Sequence, residues 1–361
     1  MKRRQPTILK LASALLVGAG LLAAGCGGQR AALPGKQLPT HITAKSVESG
    51  PLTLLTMPED GLQPILQAMK SAKKSIKLKI YMLTTHDASQ QLVEALIERQ
   101  RAGLDVQVVL EVKPYIPPSA PDCKPVTVSP NMEAIKALQA GGVRVRLSSP
   151  RFKFTHEKSM IIDDQTAYVM TMNFTNSAFT ANREYVLIDR TPADVAEMLK
   201  IFACDWEEIP YVPGDTPLVV SPVNSRSRIL ALIDSAQQTL TVQVEYCTDP
   251  EMVAHLAARV KAGVDVKVML AYLEPSPCLP DDTNSLEAKQ MADAGITQVA
   301  FMKNIRMHAK CLVADGARAF LGSENLTTTS LDRNREIGIL VTDPVLVAKL
   351  RDTAAGDWGG N

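Results

Sequence analysis

Two kinds of apolar pattern recur along the chain. SIKLKIYML (75–83) and TLTVQVEYC (239–247) alternate with a period of two, which predicts half-buried strands. Each follows a short predicted helix, at 65–73 and 229–237, and precedes one ending in Ala-Gly at Gly103 or Gly263. Glycine there suits a left-handed helix cap. DVQVVLEV and DVKVMLAY are nearly continuous apolar runs and predict buried strands. A proline-rich loop, a helix ending near Gly141 or Gly295, and a further strand follow in each half. Last come a hairpin, HEKSMIIDDQTAYVMTMN (156–173) or HAKCLVADGARAFLGSEN (308–325), and a closing helix ending at Asp-Trp. Strands alternating with helices predict an α/β sandwich in each half.

The halves are copies. His156, Lys158, Asp163 and Asn173 each lie 152 positions before His308, Lys310, Asp315 and Asn325. The same spacing carries Asn182-Arg183-Glu184 onto Asn334-Arg335-Glu336 and Asp205-Trp206 onto Asp357-Trp358. Upstream the offset grows to 160 and then 164, so the first half carries extra residues in two loops, where insertions are tolerated. The expected architecture is two duplicated α/β sandwich repeats packed face to face about a pseudo-twofold axis. The first repeat is expected over 51–206 and the second over 221–361, joined by a linker at 207–220.

Residues 1–25 combine Lys2, Arg3 and Arg4 with an apolar run and a small-residue ending before Cys26. That is a secretory signal rather than a structural helix. Its ending resembles a bacterial lipoprotein signal, which implies lipidation of Cys26, a polar tether over 27–50, and anchoring to the cell envelope, periplasmic or outer-membrane in a two-membrane organism. Without residues 1–25 the chain has 35 Lys and Arg against 38 Asp and Glu, a net of −3. That balance argues against a protein gripping nucleic acid through many phosphates. Cys123 and Cys278 occupy corresponding proline-rich loops, so a bridge between them is conceivable; no cysteine pair has zinc-ligand spacing.

On a strand, residues i and i+2 share a face, so His156 projects with Lys158 and His308 with Lys310. The returning strands bring Thr171 and Asn173, or Ser323 and Asn325, back beside them. An ammonium with amide and hydroxyl donors suits the oxygens of a phosphate ester. No carboxylate cluster suggests magnesium, and neither a metal nor a cofactor is implied. If the patches meet, one histidine attacks phosphorus while the other protonates the leaving alkoxide, then deprotonates the incoming water or alcohol. Glu184 and Glu336 are the candidates to orient the imidazoles; Asp163 and Asp315 serve the hairpin turns.

HAKCLVADGARAFLGSEN resembles the phospholipase D superfamily pattern: His-x-Lys, four residues, Asp, six residues, Gly-Ser-x-Asn. The resemblance covers roughly 51–361 and is that of a two-repeat member. It implies a metal-independent enzyme cleaving phospholipid headgroup diesters through a phosphohistidine, with His156 as nucleophile and His308 as general acid. Its partners would be a phospholipid and a water or alcohol acceptor, the membrane being reached through the lipid anchor and the chain acting as a monomer. Cardiolipin-synthase-like transfer, a metal-independent endonuclease and a non-catalytic phosphate binder are the alternatives. The first motif departs from the pattern at Met170-Thr171, where Met170 in place of glycine is expected to reshape the pocket.

Overall fold

The computed structural model describes residues 46–116, 123–124, 128–273, 277–278 and 283–360. The signal-like segment, Cys26 and most of the tether lie outside the described residues.

Two mixed sheets form the centre of the molecule. In the first, the strand order is Val47–Ser49, Leu52–Met57, Asn182–Asp189, Thr166–Met170, Ser159–Ile162, Ser75–Ile80, Asp105–Leu110 and Arg144–Leu147. In the second it is Val299–Met302, Asp265–Ala271, Thr239–Val244, Lys310–Ala314, Arg318–Gly322, Glu336–Val341 and Leu218–Ser221. The period-two pattern sorts side chains between faces. Ile76, Leu78 and Ile80 join an outer core with the helices Gln63–Ser71, Asp87–Arg101 and Met132–Ala140. Leu240, Val242 and Val244 do the same against Ser225–Ser235 and Pro250–Lys261.

The inner faces meet each other. Ile161, Val169 and Leu187 of the first sheet share one core with Cys311, Val313, Leu321 and Ile337 of the second. The closing helices Pro192–Trp206 and Pro344–Gly359 contribute Val195, Met198, Ile201, Leu346 and Leu350 to that core. The chain therefore folds as two duplicated α/β layers joined through their sheets. One short strand, Arg306–Met307, crosses over and pairs with Asn182-Arg183 of the first sheet. It places the second-half histidine at the edge of the first half.

Several elements escape the pattern reading. Asn182–Asp189 is buried along its whole length, so it shows no alternation. Leu218–Ser221 begins in the stretch read as linker, yet it pairs with Glu336–Ile339 as an edge strand. Val47–Ser49, at the end of the expected tether, pairs with Leu52–Leu54. Both are short strands beside turn residues, too brief for periodicity to register. A disulfide joins Cys123 to Cys278, while Cys204, Cys247 and Cys311 are buried thiols.

The two hairpin turns match despite their different sequences. Asp163 and Asp164 take φ +57° and +56°, as Asp315 and Gly316 take +54° and +60°. Asp163 accepts from the backbone N–H groups of Lys73, Lys74 and Ser75, and Asp315 from those of Gln237, Gln238 and Thr239. These aspartates tie each hairpin to the start of the neighbouring strand.

Candidate active site

Crossed pairing between the halves builds the site. His156 N donates to Arg335 O at 2.9 Å, and His308 N to Arg183 O at 3.4 Å. The backbone of each His-x-Lys segment thus leans on the Asn-Arg-Glu strand of the other half. The side chains cross in the same way. His156 Nδ1 is 2.8 Å from Glu336 Oε2, and His308 Nδ1 is 2.6 Å from Glu184 Oε1. The first is a well-formed hydrogen bond; the second is short but poorly directed. Each carboxylate is braced by its own half. Asn334 Nδ2 and Ser330 Oγ donate to Glu336, while Asn182 Nδ2 and Thr171 Oγ1 donate to Glu184.

The lysines are buried beside the imidazoles. Lys158 Nζ donates to His156 O at 2.6 Å and lies 3.1 Å from His156 Nε2. Lys310 Nζ donates to His308 O at 2.6 Å. Burial lowers His156 to about 4, although the Glu336 charge pulls the other way. Burial also lowers Lys158 to about 7, opposed chiefly by Glu336. Burial resists ionisation of Glu184 and Glu336, but the paired histidines and lysines outweigh it and hold both carboxyls below the ordinary range.

The remaining motif residues have separate settings. Thr171 commits its proton to Glu184 and accepts from Tyr185 N, so its hydroxyl braces the partner of His308. Ser323 Oγ accepts from Ile337 N at 3.0 Å. Asn325 Oδ1 accepts from Tyr246 N, whereas the buried Asn173 has an amide oxygen with no hydrogen-bond partner. Met170 does not line the site, contrary to the expectation drawn from its place in the motif. It faces away from Thr171 into the outer core of the first half, as strand alternation requires. No group of three or more His, Cys, Asp or Glu side chains among the described residues is arranged to hold a metal ion.

Sequence profiles and solved structures give the family and the fold. The profile described as "Cardiolipin synthase, PLD-like domain" matches residues 65–206 and 229–358. The chain belongs to the phospholipase D superfamily. Among curated relatives, cardiolipin synthase A of Citrobacter koseri is 22% identical over 327 residues, covering 82% of this chain and 67% of that protein. The Salmonella arizonae protein of the same name gives the same figures. The fold is shared with phosphatidylserine synthase of Haemophilus influenzae, at TM-score 0.66 and 13% identity over 86% of this chain and 85% of that one. It is also shared with polyphosphate kinase of Porphyromonas gingivalis, at TM-score 0.64 and 16% identity over 84% of this chain. This chain spans only 46% of that kinase.

Three charged or aromatic groups of this superfamily member were not singled out from sequence. Glu245 Oε2 lies 3.4 Å from His308 Nε2 and 3.3 Å from Lys310 Nζ. Tyr81 packs edge-on to His156, with ring centroids 4.4 Å apart. Both sit at the ends of the alternating strands, and the repeat alignment pairs them with each other; their mismatch was the available signal. The third is Glu324, fully buried between Ser323 and Asn325, with neither oxygen hydrogen-bonded. Burial, reinforced by the Glu336 and Glu157 charges, pushes its carboxyl well up. Gly322 and Gly338 face each other across the sheet there, and a Cβ on Gly322 would clash with Glu324 Oε2.

The matching residue in the first half is Met172, which is buried in apolar surroundings. Glu324→Met should therefore stabilise the fold by about 1–3 kcal/mol at neutral pH. A carboxyl held protonated when folded but free to ionise when unfolded loses stability as pH rises from the ordinary glutamate value through the raised folded one. The gain should thus be larger at pH 8 than at pH 5, as thermal unfolding at both values would show. An equal gain at both would mean that Glu324 is not held neutral.

Proposed function

We propose that the protein transfers the phosphatidyl group of a phospholipid to an alcohol acceptor through a phosphohistidine, with water as the competing acceptor. The observation that carries this reading is the crossed pairing of two His-x-Lys segments with two buried glutamates. Relatives named cardiolipin synthase and a fold neighbour named phosphatidylserine synthase support the choice of a lipid diester. His156 Nε2 attacks phosphorus as the headgroup oxygen departs, and His308 supplies the departing oxygen with a proton. The acceptor hydroxyl then attacks phosphorus, breaks the N–P bond and returns a proton to His308. Lys158 and Lys310 neutralise the phosphoryl oxygens, which is the largest service a buried cation can offer such a transition state. With Cys26 lipidated, the site would be held at the envelope membrane that carries its substrate.

The test is to incubate the chain lacking residues 1–26, in chelator, with mixed-phospholipid vesicles and glycerol, beside a His308→Ala control. A transferred phosphatidyl product absent from the control supports transfer, and phosphatidate alone supports hydrolysis. No change in any lipid would sink both.

The pH profile offers a second check. The free enzyme's essential groups govern kcat/KM. Because His156 must be neutral and falls to about 4, kcat/KM should rise through about pH 4. Because Lys158 must be charged and falls to about 7, kcat/KM should decline above about pH 7. Initial rates at substrate well below KM would show both limbs. A profile flat from pH 7 to 9 would contradict the role given to Lys158.

A further inference from the structure

The two halves differ at a place where their backbones agree. Asn131 Nδ2 donates to Tyr81 O and Glu111 O, both at 2.8 Å. Asn284 Nδ2 likewise donates to Glu245 O at 3.1 Å and Ala271 O at 2.7 Å. The same amide clamp holds Tyr81 in one half and Glu245 in the other, so the difference is confined to the side chains.

That difference gives the two imidazoles unlike surroundings. His156 has the Glu336 carboxylate at Nδ1, the Lys158 ammonium 3.1 Å from Nε2, and the Tyr81 ring against its side. His308 has the Glu184 carboxylate at Nδ1 and the Glu245 carboxylate 3.4 Å from Nε2. A carboxylate facing Nε2 attracts an N–H proton there, whereas an ammonium facing Nε2 repels one. The other titratable or charged groups facing Glu245 are Lys310, Arg306 and His156. Lys310 lies 3.3 Å from Glu245 and also serves to place it.

We propose that Glu245 is a positioning residue that keeps the transferable proton on His308 Nε2, and so makes an otherwise near-symmetric site run in one direction. This rests on the phosphatidyl-transfer reading above. The His156 Nε2–P bond forms as the P–O bond to the headgroup breaks, and the His308 Nε2–H proton passes to that oxygen. On the return step the acceptor's proton goes back to Nε2, where Glu245 again holds it. Tyr81 offers no charge to do the same for His156.

Glu245→Gln keeps the shape and removes the charge. Single-turnover rates at saturating substrate would be followed across pH with two diesters. Phosphatidylglycerol vesicles present an alkoxide that needs a proton; bis(p-nitrophenyl) phosphate releases a phenolate that does not. At saturation the substrate phosphate pairs with Lys158 and keeps it charged, so the descending limb reports the proton on His308. The variant should lose at least about tenfold on the lipid at pH 8, with that limb displaced about one unit toward lower pH. Its rate on the p-nitrophenyl ester should fall less than about threefold. Glu245→Asp should bring the limb back, and the trapped phosphate should map to the peptide carrying His156. Equal losses on both esters with an unmoved limb would reduce Glu245 to a structural prop, and a limb still displaced in Glu245→Asp would do the same. Phosphate on His308 would reverse the assigned direction. If the unaltered protein turned over neither ester, the transfer reading itself would fail, an outcome separate from an active enzyme indifferent to Glu245.

Discussion

His156→Ala should lower turnover of a phospholipid diester by a factor on the order of 10⁵ or more, and His156→Ala/His308→Ala should be scarcely worse. Groups that act as one unit are not additive, because the chemistry is lost when any member goes. Here the unit spans both halves: His156 is held by Glu336, and His308 by Glu184. Steady-state rates of the two single variants and the double variant, measured on the same vesicles, check this. If His308→Ala kept a tenth or more of the activity, the halves would have to be treated as independent sites. If the double variant lost a further large factor, each histidine would be acting alone.

The site's residue types were legible because duplication repeats them. A single His-x-Lys on a strand carries little information, but a set of polar positions recurring at one spacing does. The period-two strands and the Ala-Gly helix ends were equally readable. Gly103 and Gly263 adopt φ +91° and +88°, as left-handed caps require. What sequence could not supply was the crossing. Nothing in a linear pattern says that Glu336 serves His156 rather than His308, since Glu184 and Glu336 lie on equivalent buried strands. Glu245 stayed hidden for a related reason. It looked like one polar residue of an alternating strand, and its role depends on a neighbour 63 positions later in the chain. Met170 misled because its place in the motif was visible and its side was not. A one-residue step along a strand moves a side chain from the site to the outer core.

Arg183→Met should destabilise the fold by about 3–5 kcal/mol. Its guanidinium donates to both oxygens of the buried Asp357 at 2.8 Å and to the more exposed Glu59. Arg335 makes the reciprocal reach to Asp205, which also binds Lys79 at 2.8 Å. Each closing helix is thus tied, through the aspartate before its tryptophan, to the strand that carries the opposite half's glutamate. Removing Arg183 leaves the buried Asp357 as a charge with little water to receive it, and that uncompensated burial is the source of the cost. Arg183→Met with Asp357→Leu should recover a large part of the loss, because a well-packed apolar pair is often equal to a buried ion pair. Urea unfolding midpoints of the single and double variants measure both effects. Activity should not recover with stability, since Arg183 O accepts from His308 N and Glu184 follows it in the chain. A double variant restored in stability but still slow would show that the arginine lock sets the register of the catalytic strand. One restored in both would make it a packing feature only.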